Sequence, residues 1–319
     1  MKKIMHTILG AGGPVANALT RELQNNNEAI RLVSRRPIES KDQDTSWQKA
    51  DLLNFDELLA ASKGSEVIYL TAGLVYDKKV WAEQWPVIMR NYINLGKETG
   101  ARLIFFDNVY SYGLVNGPML ETTPYNPSSK KGEIRAKIAT QLMDEAKAAN
   151  IKAAIARGAD FYGTEDVKGV MDVMLLDKLK KGQRAQWLGD VNKLHNFSYI
   201  PDMGKGMFLL GQNSSSDNQI WHMPTAKPMK GIEFIKMAAG IYGVPPKYMA
   251  ANKFMLQLFG LFDKMTNELV EMFYQYNHDY DFNSDKFEKT FNYKPTGYEN
   301  GIKKMAETHY KKALVRKSA

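Results

Sequence analysis

Short apolar runs and amphipathic stretches alternate through the first half of the chain. HTIL, IRLVS, EVIYLTA, ARLIFFD and IKAAIA are too apolar for strands with one wet face, so both faces should be covered. PVANALTRELQ, FDELLAAS, VWAEQWPVIMRNYINLGKE and KKGEIRAKIATQLMDEAKAAN carry the helical spacing between them. Alternation of this kind predicts right-handed crossovers and a doubly wound parallel sheet of the α/β class. After about Gly163 the texture changes, and loops such as GQNSSSDNQ and MPTAKP interrupt the helices. The boundaries read from this change are 1–163 for a first domain and 164–319 for a smaller part, discontinuous, with some segments returning to the first sheet. Within the smaller part, KFMLQLFGLFDKMTNELVEMFYQ has apolar residues on almost every helical face. Such a stretch is buried in its own chain, covers a pocket or meets a second subunit; burial in its own chain is the expectation.

Composition narrows the classes. The chain has 319 residues, 44% hydrophobic and 24% charged, an ordinary globular balance. No apolar run approaches the roughly 18–20 residues of a membrane span, and no membrane partner is expected. The net charge is +8, but lysines are interleaved with acids, as in KKGEIRAK, and no basic stripe or RNA-binding motif accompanies them. No nucleic acid is expected; an anionic small ligand would use the charge as well. The absence of cysteine excludes disulfides and thiolate metal sites and fits a cytoplasmic protein. Five histidines without a histidine–acid cluster give no metal site.

The first strand runs directly into Gly10, Ala11, Gly12, Gly13, Pro14 and Val15, with Ala16 completing a G-x-x-G-x-x-A spacing. Between a strand and a helix, small residues let the backbone approach a pyrophosphate, whose charge the helix N–H groups and dipole hold. Pro14 suits the first turn, where its missing N–H is not needed. The loop is therefore expected to bind a dinucleotide. After the second strand, VSRRP presents Arg35 and Arg36 where an NAD site places an acid. A guanidinium pairs bidentately with a 2′-phosphate, so NADP(H) is favoured over NAD(H). Asp51, after a short third strand, either accepts from the adenine amino group or caps the next turn.

The run IFFDNVYSYG raises the catalytic question, because Asp107, Asn108, Tyr110, Ser111 and Tyr112 crowd polar groups where an apolar strand ends. Asp107 is expected to fix the loop by accepting backbone N–H bonds. LGAGGPVA, KADL, VIYLTAG, DNVYSYG, ARGADFYG, YIPDM and DFNSDKFEKTFNYKP, in that order, resemble the extended short-chain dehydrogenase/reductase superfamily in its NAD-dependent epimerase/dehydratase branch. The resemblance implies a Rossmann-type sheet with a smaller α/β C-terminal substrate domain. It also implies that Asp51 and Leu52 flank adenine, that Thr71, Ala72 and Gly73 line the cofactor, and that Arg157 through Gly163 close the nicotinamide side. A homodimer built from helices of the Rossmann domain is a common arrangement in such proteins. His195 occupies a region where the family often has an arginine facing substrate.

The catalytic pattern departs from the family. Members usually carry Ser or Thr after the fifth strand and then Tyr-x-x-x-Lys opening a long helix. The tyrosine exchanges a proton with substrate and the lysine holds the nicotinamide ribose. Here the hydroxyl position becomes Asn108, and Lys131 fits the lysine, but Pro127 stands four residues before it. Tyr125 and Tyr110 are the two candidates for the missing acid. Three outcomes stay open: a tyrosine substitutes, and the chain is an NAD(P)-dependent oxidoreductase or epimerase moving hydride at a hydroxyl or carbonyl carbon of a small molecule; Asn108 and Lys131 polarise a substrate that needs no tyrosine; or the site is silent and the chain is an NADP(H)-binding sensor or assembly protein. The enzyme reading is preferred, because the polar residues facing the pocket have not become apolar.

Overall fold

A computed structural model of the chain describes residues 3–163, 169 and 171–317, with side chains through 308. The apolar runs become strands β1 (Met5–Leu9), β2 (Ala29–Ser34), β3 (Thr45–Lys49), β4 (Val67–Leu70), β5 (Arg102–Asp107) and β6 (Lys152–Arg157). With Gln219–His222 they form one seven-stranded sheet in the order Gln219–His222, β6, β5, β4, β1, β2, β3. Every pairing is parallel. The amphipathic stretches become α1 (Pro14–Asn25), α2 (Phe55–Ser62), α3 (Lys78–Thr99) and α4 (Lys130–Lys147). β4 is entirely buried, as its unbroken VIYL demands. The strand order reverses between β1 and β4, and a crevice for ligand opens outside the carboxyl ends of strands at such a point.

The chain divides into two compact units. The first comprises Met1–Gly113, Glu121–Gly158 and Met203–Met223, so the strand Gln219–His222 returns to the sheet from late in the sequence. Its core packs Leu9, Ile68, Leu70, Trp85, Leu103 and Phe105 against α3 and α4. The second comprises Leu114–Leu120, Ala159–Asp202 and Pro224–Ala319. It holds three two-stranded pairs: Asp160–Tyr162 with Phe197–Tyr199, Leu194–His195 with Met229–Lys230, and Ala185–Leu188 with Tyr248–Ala251. Tyr162, Trp187, Phe197, Phe234 and Tyr298 make its aromatic core.

The expectation that KFMLQLFGLFDKMTNELVEMFYQ is buried in its own chain fails over its first half. The stretch forms two short helices, Lys253–Gly260 and Lys264–Val270, and the first buries only Leu256. Asp263 caps the start of the second helix just after the first ends at Gly260, so the run breaks into two short helices rather than one that could be enclosed on all faces.

Candidate active site

Gly10 and Gly12 take φ of +78° and +95°, conformations that favour glycine. A Cβ on Gly10 would come within 2.6 Å of the Ala72 Cα, which fixes the loop after β1 against the end of β4. Gly10 and Ala11 both donate their N–H to the Val33 carbonyl, 3.1 Å away, tying the loop to β2 as well. Gly13 is the N-cap of α1 and offers no side-chain cap, while Pro14 opens the helix. A Cβ added at Gly13, or at Gly73 after β4, would meet nothing within 4 Å. An uncapped helix start beside open space suits an anion, so these residues fit the pyrophosphate of a dinucleotide, with Val15 in the first turn.

Arg35 and Arg36 lie exposed immediately after β2, where the Ser34 hydroxyl donates to the Arg36 carbonyl at 2.6 Å and fixes the turn. Asp51 accepts from the Leu53 N–H at 3.0 Å, so its carboxylate shapes the turn before α2. The Leu52 carbonyl accepts from Asn91 at 3.0 Å. Thr71 is buried and donates to the Leu9 carbonyl at 3.1 Å, pinning the ends of β1 and β4 together.

At the far end of β5, Asn108 accepts the Tyr110 N–H at 3.1 Å through its side-chain carbonyl. Tyr110 stacks on Trp81 with ring centroids 6.2 Å apart. Ser129 caps α4 by accepting from the Gly132 N–H at 3.0 Å, which places Lys131 in the first turn. Gly132 is required there, since a Cβ would meet the Tyr110 carbonyl oxygen at 2.5 Å. Lys131 is fully buried. Its ammonium stands 4.4 Å from the centroid of the Tyr76 ring, a cation–π contact that offsets part of the lost hydration. The Tyr76 hydroxyl in turn donates to the Tyr110 hydroxyl at 3.4 Å. Tyr76, in the loop after β4, escaped sequence reasoning; no spacing rule joins it to residues 34 and 55 positions later.

Tyr125 occupies a different network. Asp107 is buried, and its carboxylate is gripped on one side by Arg157 at 2.8 Å and on the other by Arg135 at 2.7 Å. This corrects the expected role: Asp107 fixes two guanidinium groups rather than loop N–H groups. Arg157 passes a second bond, at 2.9 Å, to the Tyr125 hydroxyl, and its guanidinium lies 4.6 Å from the centroid of Tyr112. Burial pushes the Tyr112 phenol up to about 12 despite that cation, and its hydroxyl pairs with His222 Nε2 at 2.7 Å. Pro127 packs on the first turn of α4, and the Asn126 N–H donates to the Ser111 carbonyl at 3.1 Å. Tyr125 is thereby held on a loop rather than a helix. Arg135 had a legible signal, because it continues the Lys131, Ile138, Leu142 stripe that α4 buries.

His195 lies in the second unit, 2% exposed, between the rings of Phe197, Tyr276 and Tyr280. Its Nε2 lies 3.1 Å from Asp160, to which the Tyr276 hydroxyl also donates at 2.9 Å. Asp160 and Tyr276 were not singled out from sequence. Among the described residues no group of acids and histidines could hold a metal.

A model of the NAD dependent epimerase/dehydratase family matches residues 6–223. The chain belongs to this family. It is an enzyme of the extended short-chain dehydrogenase/reductase type. Similar solved structures include dTDP-glucose 4,6-dehydratase from Bacillus anthracis in complex with NAD, at 13% identity, 97% coverage of each chain and a TM-score of 0.80. The UDP-glucose 4-epimerase of Thermus thermophilus, also with NAD, is 15% identical over 96% of this chain and 98% of that one, with a TM-score of 0.75. MoeE5 in complex with UDP-glucose and NAD is 17% identical over 98% and 100%, with a TM-score of 0.76. At these identities the likeness establishes the fold. No curated protein sequence matches the chain.

Proposed function

We propose that this family member is an NADP(H)-dependent oxidoreductase or epimerase in which Tyr110, backed by Tyr76 and Lys131, replaces the missing acid. The observation that carries the reading is the enclosed Lys131 ammonium over the Tyr76 ring, with the Tyr76 hydroxyl donating to Tyr110. Bound nicotinamide would supply hydride exchange with a hydroxyl or carbonyl carbon. Tyr110 accepts from Tyr76; as the acid it would pass its proton to a substrate oxygen, and the Tyr76 bond and the Lys131 charge would stabilise the phenolate left behind. Asn108 has committed its carbonyl to the loop, which leaves its amide N–H groups to polarise the same oxygen. Tyr125, anchored by Arg157, is the second acid candidate. His195, enclosed by rings beside Asp160, is kept as the proposed substrate contact of the second unit. Gly10, Gly13, Pro14 and Val15 would hold the pyrophosphate, and Arg35 with Arg36 the 2′-phosphate. The substrate classes to screen are nucleotide sugars, as in the UDP-glucose complexes of similar structures, and apolar ketones.

The test is a fluorescence titration with NADPH and NADH. Arg35→Ala with Arg36→Ala should weaken NADPH by roughly tenfold or more, because charge-assisted bonds are lost, and barely alter NADH. Equal losses for both cofactors would remove the 2′-phosphate assignment. Once a turnover substrate is in hand, Tyr110→Phe should lower kcat by about a hundredfold or more with cofactor affinity retained. Full activity in Tyr110→Phe but not Tyr125→Phe would transfer the role to Tyr125, and full activity in both would rule out a tyrosine acid.

A further inference from the structure

In the second unit, FMLQLFGLF (254–262) places one polar side chain, Gln257, among nine residues. Asn252 accepts from the Met255 N–H at 2.9 Å and Asp263 from the Thr266 N–H at 2.7 Å, so each helix has its own N-terminal cap. Gly260 brings them together as a hairpin; a Cβ there would stand 3.0 Å from the Asn267 Cα. Leu256 alone anchors the first helix inward, against Leu188 and Phe273. Phe254, Leu258, Phe259, Leu261 and Phe262 face out. Phe254 is 70% exposed, and exposure peaks at the connecting turn, with Leu261 at 77% and Phe262 at 87%. Residues this bare stand clear of their own chain, so the apolar surface is a convex knob rather than a groove. It is flanked by exposed Lys247 and Lys253, and the one acid from residue 247 to 263 is Asp263, already used as a cap.

We propose that this hairpin is a peripheral anchor for an anionic lipid surface. Phenylalanine and leucine side chains enter the boundary between headgroups and acyl chains, and flanking lysines meet anionic headgroups; the two together give reversible attachment. A second copy of the chain fits less well, since self-association would oppose two convex knobs with lysine rims of the same sign. No helix among the described residues is long and apolar enough to cross a membrane, so the hairpin would lie in the interface. The proposal departs from the expectation of no membrane partner.

Flotation of the full chain with phosphatidylcholine vesicles, and with vesicles also containing phosphatidylglycerol, tests this. The protein should float with the anionic vesicles, less so at high salt. Leu261→Asp with Phe262→Asp should weaken flotation by at least about tenfold while thermal unfolding stays unchanged, which such exposed positions permit. Conversely, Phe262→Trp should retain flotation and show a blue shift of its emission on anionic vesicles. No flotation, with a monomer by light scattering, would overturn the proposal. So would a dimer that the double aspartate variant dissociates and that ignores vesicles; the face would then join two copies.

Discussion

His6 sits on β1 with no solvent exposure, its Nδ1 3.1 Å from the Tyr69 hydroxyl and its Nε2 3.4 Å from the Gln212 amide. Burial, and then the nearby Arg102 charge, pull its pKa from 6.5 down to about 4. The ring is therefore neutral in the folded chain at pH values where the unfolded chain is already protonated. Its contribution is fully present above about pH 6.5 and is lost as pH falls towards 4, a difference of about 3 kcal/mol at the acid end. Urea unfolding at neutral pH and near pH 4 should show wild type losing more stability than His6→Gln by about that amount; parallel profiles would disprove it. At the same scale, that Asn108 follows β5 and that Lys131 opens α4 was legible from the order of the chain. Tyr76 was not, because its contacts depend on where side chains meet beyond β4, and Arg135 was legible as a buried position of α4 but not as a partner of Asp107.

The elements themselves were largely legible. Runs without polar interruption became the buried parallel strands, and the glycine loop, Pro14 and the helix that follows fell where backbone chemistry put them. EVIYLTA was read too long: pairing stops at Leu70, because Thr71 and Ala72 leave the ladder to hold the ends of β1 and β4 together. The start of α4 shows a harder limit. Nothing in TPYNPSSKKGE says that the loop folds back so closely that a Cβ on Gly113 would overlap the Asn126 carbonyl oxygen. That contact holds the loop that sets the Tyr125 hydroxyl beside Arg157. The exposed hairpin was illegible for a related reason. An apolar sequence states what must be covered, while the break into two short helices at 261–263 is set by where the second helix starts.

Across the whole chain, the seventh strand has to be recovered from a segment more than sixty residues beyond β6. In sequence, GQNSSSDNQ looks like a loose loop; folded, it is tied to the first residue of β5. The Arg102 guanidinium donates to Asp217 at 2.8 and 2.9 Å. It also donates to the carbonyls of Gly211 and Asn213 at 2.6 Å and of Leu210 at 3.0 Å, and to the Ser216 hydroxyl at 3.0 Å. Three of those acceptors are the last carbonyls of a helix, Ile200–Gln212, and the turn after it, which otherwise require another donor or water. Arg102→Met keeps the aliphatic stem and removes every one of these donors, leaving a mostly buried carboxylate without its cation. The loss should be about 3 kcal/mol or more, read as a lower urea midpoint with the slope of the transition unchanged. Asp217→Asn should cost less, because the backbone carbonyls keep their donor. A loss below about 1 kcal/mol in Arg102→Met would mean that apolar packing by itself brings the segment 203–223 back to the sheet.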